Sequence, residues 1–310
     1  MSTLHRRAFS VTVAWTLFLL YLGSVVHATE SSLACPDWPT CFGTMIPEMT
    51  GGVFWEHLHR LVAGGLLLMW GLATWLTRKE LPEHPLAFRT AVAGMGLLLV
   101  QSVFGGLTVI YRLPDLVSTT HLSLAFIFLG LATALASWST WSRSGESMDP
   151  TVAAGVRRWG GLAGGLVFVQ SVLGALVRHM DAGMACPDAP LCLGQLVPPL
   201  NNHLIAVHFT HRVVGVLAAA AVVGLAVWAS RVEVPRSVRS WASWAAVLVL
   251  IQVGLGFASV LAALAVVPVS LHTLVAASLL AVLVHVTMLG WVTETAPEGM
   301  AAPGSTQPVA

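Results

Sequence analysis

A chain of 310 residues that is 56% hydrophobic and only 9% charged cannot clothe itself in water, where a soluble domain draws on roughly 25% charged residues. The mean hydropathy of +0.80 makes lipid the solvent. A net charge of +1 excludes the basic footprint of a nucleic-acid binder.

A membrane-crossing helix needs about 20 mostly apolar residues. In chain order, eight segments meet that need, at 8–28, 53–76, 88–111, 117–141, 158–179, 203–229, 238–262 and 268–291. Breaks bearing proline separate them, among them Pro36 and Pro39, Pro82 and Pro85, Pro114, Pro150, Pro187, Pro199, Pro235 and Pro268. The first segment has the outline of a cleavable signal, with Arg6 and Arg7 before an apolar run and Val26-His27-Ala28 after it. A matching segment recurs in mid-chain, where no signal can be cleaved, so the first is expected to stay as a span. Trp55, Trp75, Trp141, Trp159, Trp241 and Trp291 stand near segment ends, where interfacial aromatics belong. Beyond Thr293 a Pro/Gly/Ala-rich tail, 293–310, is expected to be disordered and cytoplasmic.

Positive charge orients the spans. Arg6, Arg7, Arg78, Lys79, Arg89, Arg143, Arg157, Arg158, Arg231, Arg236 and Arg239 fall at one set of ends. This predicts cytoplasmic N- and C-termini and outward-facing loops at 29–52, 112–116, 180–202 and 263–267.

The chain repeats itself. Cys35-Pro-Asp-Trp-Pro-Thr-Cys41 returns as Cys186-Pro-Asp-Ala-Pro-Leu-Cys192, an offset of 151 residues. Arg6-Arg7 returns as Arg157-Arg158, Gln101 as Gln252 and His121 as His272 at the same offset, and His59-Arg60 as His211-Arg212 at 152. The expected fold is therefore all-α: a polytopic membrane protein with eight transmembrane helices in two four-helix bundles related by a pseudo-twofold axis. The expected division is an N-terminal half at 1–142, a cytoplasmic linker at 143–157 and a C-terminal half at 158–292.

Of twelve histidines, four lie inside spans: His59, His121, His211 and His272. Ionisable residues there are costly and functional by default. His5, His84 and His285 lie at cytoplasmic ends with no specific role expected; His27, His179 and His203 lie at outer ends, to snorkel or line an entrance. Two imidazoles from two different helices at one depth suit the opposite faces of a haem, for which imidazole is a standard axial ligand. Zinc asks for further ligands nearby; a proton relay is a competing reading.

The halves differ at one point. Glu56-His57-Leu58-His59-Arg60 faces His208-Phe209-Thr210-His211-Arg212, so His208 stands where the first half has Glu56. A carboxylate one turn from an iron ligand is a candidate general acid or base; it is equally a candidate ion-pair partner for Arg60. Arg60, Arg112, Arg178 and Arg212 sit near the outer side and are candidate partners for haem propionates or snorkelling residues. Proximity favours Cys35–Cys41 and Cys186–Cys192 as disulfides, either staples or redox-active pairs.

This pattern resembles the haem A synthase family. The resemblance rests on Glu56-x-x-His59-Arg60, His121, His211-Arg212, His272 and the paired loop cysteines, and spans nearly the whole chain. It implies oxidation of the C8 methyl of haem O to a formyl group, giving haem A for terminal oxidases. It implies that His59 and His121 hold haem O as substrate, that Glu56 assists the oxidation, and that His211 and His272 hold a haem b cofactor and its iron. It implies a functional Cys35–Cys41 disulfide. A haem O synthase and a membrane electron donor or acceptor are the expected partners, and a bacterial plasma membrane the expected location. The alternatives are a two-haem electron carrier of cytochrome b type and a transporter whose histidines relay protons.

Overall fold

The computed structural model describes residues 3–82, 84–141 and 148–292; the expected disordered tail from 293 onward lies outside the described residues. Eight long helices follow one another: α1 Thr3–Ala28, α2 Gly51–Thr77, α3 Pro85–Ile110, α4 Asp115–Trp141, α5 Pro150–His179, α6 His203–Arg231, α7 Arg236–Leu261 and α8 Val266–Val292. All eight are long and apolar enough to cross a membrane, so this is a multi-pass, all-α membrane protein.

Local chemistry sets the helix starts. α5 begins at Pro150, eight residues before the expected start of its span. Asp149 Oδ1 accepts the Thr151 amide at 2.8 Å, and proline in a first turn forfeits only an N–H that would have had no partner. Residues 150–157, expected in the linker, are thus the first turns of α5. α6 is capped in the same manner, Asn202 Oδ1 accepting the Leu204 amide at 2.9 Å.

The repeat is written into the backbone as well as the side chains. Two consecutive left-handed residues join α3 to α4, Arg112 (φ 56°) and Leu113 (φ 61°), and two join α7 to α8, Ala263 (φ 49°) and Leu264 (φ 61°). Leu113 N donates to Thr108 O at 2.7 Å and Leu264 N to Ser259 O at 2.8 Å, closing helix-end carbonyls that would otherwise lack donors. Glu30 pairs with Asp181, and Phe42 with Leu193, as further left-handed positions 151 residues apart.

Packing follows a ring in each half. α1 packs on α2, α2 on α3, α3 on α4 and α4 back on α1; α5 through α8 repeat the ring. α2 and α4 are therefore diagonal, as are α6 and α8. The halves meet through α1 with α8, α4 with α5, and α4 with α8. The core of the second half, built on Val222, Leu225, Leu279 and Leu283, continues across this seam into Leu20, Phe126 and Leu129. A second core gathers Phe9, Leu66, Trp70, Leu98 and Phe128, with Trp70 Nε1 donating to Ala91 O at 2.9 Å. Half of the most apolar stretch of α4 is buried within the protein, against 22% for α2, α3, α6 and α7. The latter four turn Leu68, Leu99, Val216 and Leu250 outward, toward lipid.

One expectation about the histidines is corrected here. His285 is not idle: its Nδ1 lies 2.8 Å from Ser137 Oγ and its ring meets the edge of Trp241 at 5.1 Å. Seven residues short of the end of α8, it is still inside the packed region and fastens α8 to α4 and α7.

Candidate functional site: two imidazole pairs under two clamped loops

α2, α4, α6 and α8 all start at the cysteine-loop end. His59 and His211 stand eight residues into their helices, and His121 and His272 six. At 1.5 Å per residue, all four imidazoles lie about 9–12 Å below that end. His59 and His121 occupy the diagonal helices of the first bundle, and His211 and His272 those of the second. Each pair is close enough for its members to repel one another when charged.

Each ring is seated against a glycine of a neighbouring helix. A Cβ at Gly23 or Gly105 would stand 3.0 Å from Cε1 of His59 or His121, and one at Gly174 or Gly256 would stand 3.0 Å from Cε1 of His211 or 3.2 Å from that of His272. Such separations are too short for any side chain there without displacing the ring. The glycines themselves obey the offset of 151.

Hydrogen bonds fix the tautomers. His121 Nδ1 lies 3.1 Å from Gln101 O and His272 Nδ1 3.2 Å from Gln252 O. A carbonyl oxygen can only accept, so each Nδ1 carries the proton and each Nε2 keeps its lone pair. That is the form in which imidazole binds a metal. At His272 this lone pair faces the Gln252 amide, with Nε2 to Nε2 at 3.2 Å.

These residues fit an iron porphyrin. The two imidazoles of each bundle come from helices that stand diagonally in its ring. The side-chain oxygens of Gln101, Gln170 and Gln252 are buried without a hydrogen-bond partner among the described residues. An unmet buried polar group costs about 1–3 kcal/mol, so the interior of each bundle holds polar demand where the imidazoles stand.

Above each pair lies a disulfide loop. Cys35–Cys41 and Cys186–Cys192 are bonded, with Cα–Cα separations of 4.8 and 4.7 Å. Arg60, next in sequence to His59, drives its guanidinium into the first loop: Nη1 donates to Asp37 O at 2.8 Å and Thr40 O at 2.6 Å, and Nη2 to Cys35 O at 3.5 Å. Arg212 repeats the clamp on Asp188 O at 2.9 Å, Leu191 O at 2.6 Å and Cys186 O at 2.7 Å. Both arginines, candidates from sequence for propionate partners or for snorkelling, thus place Nη donors on loop carbonyls. Glu56 completes the first clamp: Oε2 accepts the Cys35 amide at 2.7 Å and Oε1 pairs with Arg60 Nη2 at 2.5 Å. His208, in its place in the second half, instead donates from Nδ1 to Ala182 O at 2.9 Å.

Inside the loops an aspartate gathers the turn. Asp37 accepts the Phe42 amide at 2.6 Å, the Gly43 amide at 2.9 Å and the Thr40 hydroxyl; Asp188 accepts the Leu193 and Gly194 amides at 2.6 and 2.7 Å. The Thr40 hydroxyl above all, and then the Gly43 amide, hold the Asp37 carboxyl below its usual range. For Asp188 the Gly194 amide is the main cause. A carboxyl depressed in the folded state contributes order that is complete above its unfolded value of about 3.9 and is lost as pH falls through the lower folded value. Amide exchange at Phe42, Gly43, Leu193 and Gly194, corrected for intrinsic rates, is therefore expected to stay flat from about pH 8 to 5 and to rise only below about 4. A rise already near pH 6 would show that another group holds the turn.

Arg112 forms part of the left-handed turn into α4, and Arg178 lies within electrostatic reach of Asp181 and His27. His27 and His179 meet across the seam with ring centroids 5.3 Å apart, and Thr119 Oγ1 is 3.2 Å from His179 Nδ1. His57 is buried, its Nδ1 without a hydrogen-bond partner among the described residues. Sequence reasoning marked Gln101 and Gln252 as part of the repeat but gave them no place in the site, and it missed Gln170, Trp38 and the seating role of the four glycines. The Trp38 ring lies over Gly106, where a Cβ would stand 2.7 Å from it, so it roofs the helix that seats His121. At the repeat positions of Trp38 and Gly106 the second half carries Ala189 and Phe257, so the residue sizes are exchanged.

The chain is 32% identical to the haem A synthase of Symbiobacterium thermophilum over 83% of this chain and 85% of that one. It is 29% identical to that of Shouchella clausii over 92% and 96%, and 30% identical to that of Lysinibacillus sphaericus over 91% and 93%. Residues 6–52 and 48–284 match the COX15-CtaA family, described as cytochrome oxidase assembly protein. With four helices per half, an imidazole pair in each and a disulfide loop above each pair, the chain belongs to the COX15-CtaA family.

Proposed function

We infer that this protein is a haem A synthase, an oxidoreductase that converts the C8 methyl of haem O to a formyl group and so makes haem A for terminal oxidases. The observation that carries the reading is the pair of imidazoles on diagonal helices at one depth, present once in each half of a chain of this family. In the first half, taken as residues 1–142, His59 and His121 would hold haem O as substrate. In the second, 158–292, His211 and His272 would hold haem b. Residues 143–157 link the halves, and their last eight lie in α5.

Bound haem b supplies one-electron redox chemistry, which suits a methyl-to-aldehyde conversion that removes four electrons. The protein's own residues do the rest. The glycine seats fix the ring planes, and Nδ1 donation to Gln101 O and Gln252 O leaves Nε2 of His121 and His272 unprotonated, the form that ligates a metal. Trp38 and the clamped first loop shield the substrate side from water. Glu56 Oε1 and Oε2, one turn from His59, are positioned to hold a proton near the substrate edge. The Cys35–Cys41 pair, fastened to Glu56 through the Cys35 amide, is the disulfide with a functional part in this reading. Haem O carries a long farnesyl tail and reaches the site from the bilayer, delivered by a haem O synthase; a membrane electron donor or acceptor completes the reaction. The setting is the bacterial plasma membrane, with both termini cytoplasmic and the cysteine loops outside.

Co-expression with a haem O source, followed by extraction and mass identification of the haems, tests this directly. Haem A together with haem O and haem b is expected. A single, unaltered haem type would replace the enzyme with a two-haem electron carrier.

A further inference from the structure

The two disulfide loops end in the same kind of turn. Cys41 and Thr44 exchange backbone hydrogen bonds at 3.0 and 3.2 Å, and Cys192 and Gln195 do so at 2.9 and 3.1 Å. The two residues enclosed by each pair are left-handed: Phe42 (φ 54°) with Gly43 (φ 72°), and Leu193 (φ 55°) with Gly194 (φ 71°). A turn of this shape favours asparagine, aspartate or glycine at the first of these places, and a bulky side chain there is strained. Both halves nevertheless put a large apolar residue at it.

The apolar character continues past the turn. Phe42, Met45 and Ile46 stand exposed, and so do Leu193, Leu196 and Val197, each 151 residues further on. Ile46 is 88% exposed and Leu196 81%, the situation of a charged side chain in water. Yet no charged residue occurs from 38 to 47 or from 189 to 202. What the repeat keeps is apolarity and not shape: Phe stands against Leu, Met against Leu, Ile against Val. A protein partner selects for shape complementarity, whereas the hydrophobic effect of a hydrocarbon is non-directional.

The height and the direction of the turns agree with lipid contact. Arg60 and Arg212 each stand nine residues into their helices, about 13 Å below the start. An extended arginine with its hydrogen bond spans roughly 10 Å. Thr40 O and Leu191 O, the last carbonyls before the turns and both held by these arginines, therefore lie level with the first turns of α2 and α6 rather than above them. Sideways, the first loop leaves α1 at the seam and crosses to α3, where Trp38 lies over Gly106. The halves meet through α1, α4, α5 and α8, so α2 and α3 form an outer flank. Phe54 on α2 and Ile110 on α3 are exposed at the same end of it.

We propose that both turns dip into the bilayer on the cysteine-loop side, seating Phe42, Met45 and Ile46, and Leu193, Leu196 and Val197, at the acyl-chain boundary of that leaflet. Lipid contact supplies the apolar burial that offsets the left-handed Phe42 and Leu193. The cover over each imidazole pair is then fastened twice, by arginine at its base and by lipid at its tip, whatever the pair holds.

The test places the photoreactive residue p-benzoylphenylalanine at Ile46 in one full-length chain, at Val197 in a second and at lipid-facing Leu68 in a third. Each is purified, reconstituted in phosphatidylcholine vesicles, illuminated and read by mass spectrometry, with fragmentation assigning any adduct to head group or acyl chain. Acyl-chain adducts are expected at Ile46 and Val197 as at Leu68. Their absence at either turn while Leu68 gives them would overturn the proposal. So would cross-links between two copies of the chain in place of lipid, which would make the turns a self-association surface. Illumination in native membranes asks the same question against other proteins, and a protein adduct there in place of lipid would also overturn it. Met45 and Leu196, equally outward, carry the probe if either turn variant fails to fold.

Discussion

His211→Ala and His272→Ala will each reduce the haem b recovered with the purified protein to under about a tenth of the parent value, read as pyridine haemochrome per polypeptide. Losing a hydrogen-bond partner of a ligand costs about 10- to 100-fold in metal affinity, so losing the ligand itself must cost at least as much. The seats make rescue by a neighbour difficult. Gly174 and Gly256 are shaped around the imidazole edges, and among nearby polar groups Gln170 and Gln252 present amides, which bind iron poorly beside imidazole. His59→Ala and His121→Ala should retain haem b and instead lose haem O when it is supplied. Normal haem b content in both His211→Ala and His272→Ala would refute the assignment of the second site.

The second large effect is expected at Glu56, and it requires separating chemistry from fastening. Removing one member of a buried ion pair costs about 3–5 kcal/mol when the other is left unpaired. Arg60 is not left so, because it keeps the carbonyls of Asp37, Thr40 and Cys35. Glu56→Ala should therefore fold and bind both haems, yet make haem A at least about 100-fold more slowly, the lower range for loss of a general acid or base. Glu56→Gln keeps an acceptor for the Cys35 amide and removes only the charge and the titrating proton. If Glu56→Gln is as slow as Glu56→Ala, the carboxylate acts in the chemistry. If Glu56→Gln makes haem A at the parental rate, the catalytic role is lost and the side chain is a loop fastener. Haem extraction and mass analysis under identical co-expression reads both.

The helices were legible because lipid demands long apolar runs, and the repeat was legible because its markers, Cys35, His121 and their echoes, are chemically distinctive. The helix starts were less so: a cap such as Asp149 acts over two residues and leaves no trace in hydropathy. The imidazole pairs could be named from their offset, but their diagonal placement depends on ring packing that no local pattern encodes. Arg60 and Arg212 were candidates for propionate partners, for an ion pair or for snorkelling; the ion pair of Arg60 with Glu56 was legible at i, i+4, whereas the loop carbonyls both arginines also bind are groups that every residue carries and no sequence advertises. The seating glycines could have been found. Gly23 with Gly174 and Gly105 with Gly256 share the offset that exposed the histidines.

In each half, the residue that grips the cover and the residue that faces the pair are consecutive, Arg60 after His59 and Arg212 after His211. About 100° of helical turn and a single peptide link separate them, so the cover and the ring cannot move independently. Lifting a loop drags on the same backbone that aims the imidazole, and seating the loop restores that aim. If the pairs hold haem as proposed, closure of the two cysteine turns by thiol oxidation is expected to precede loading of the sites.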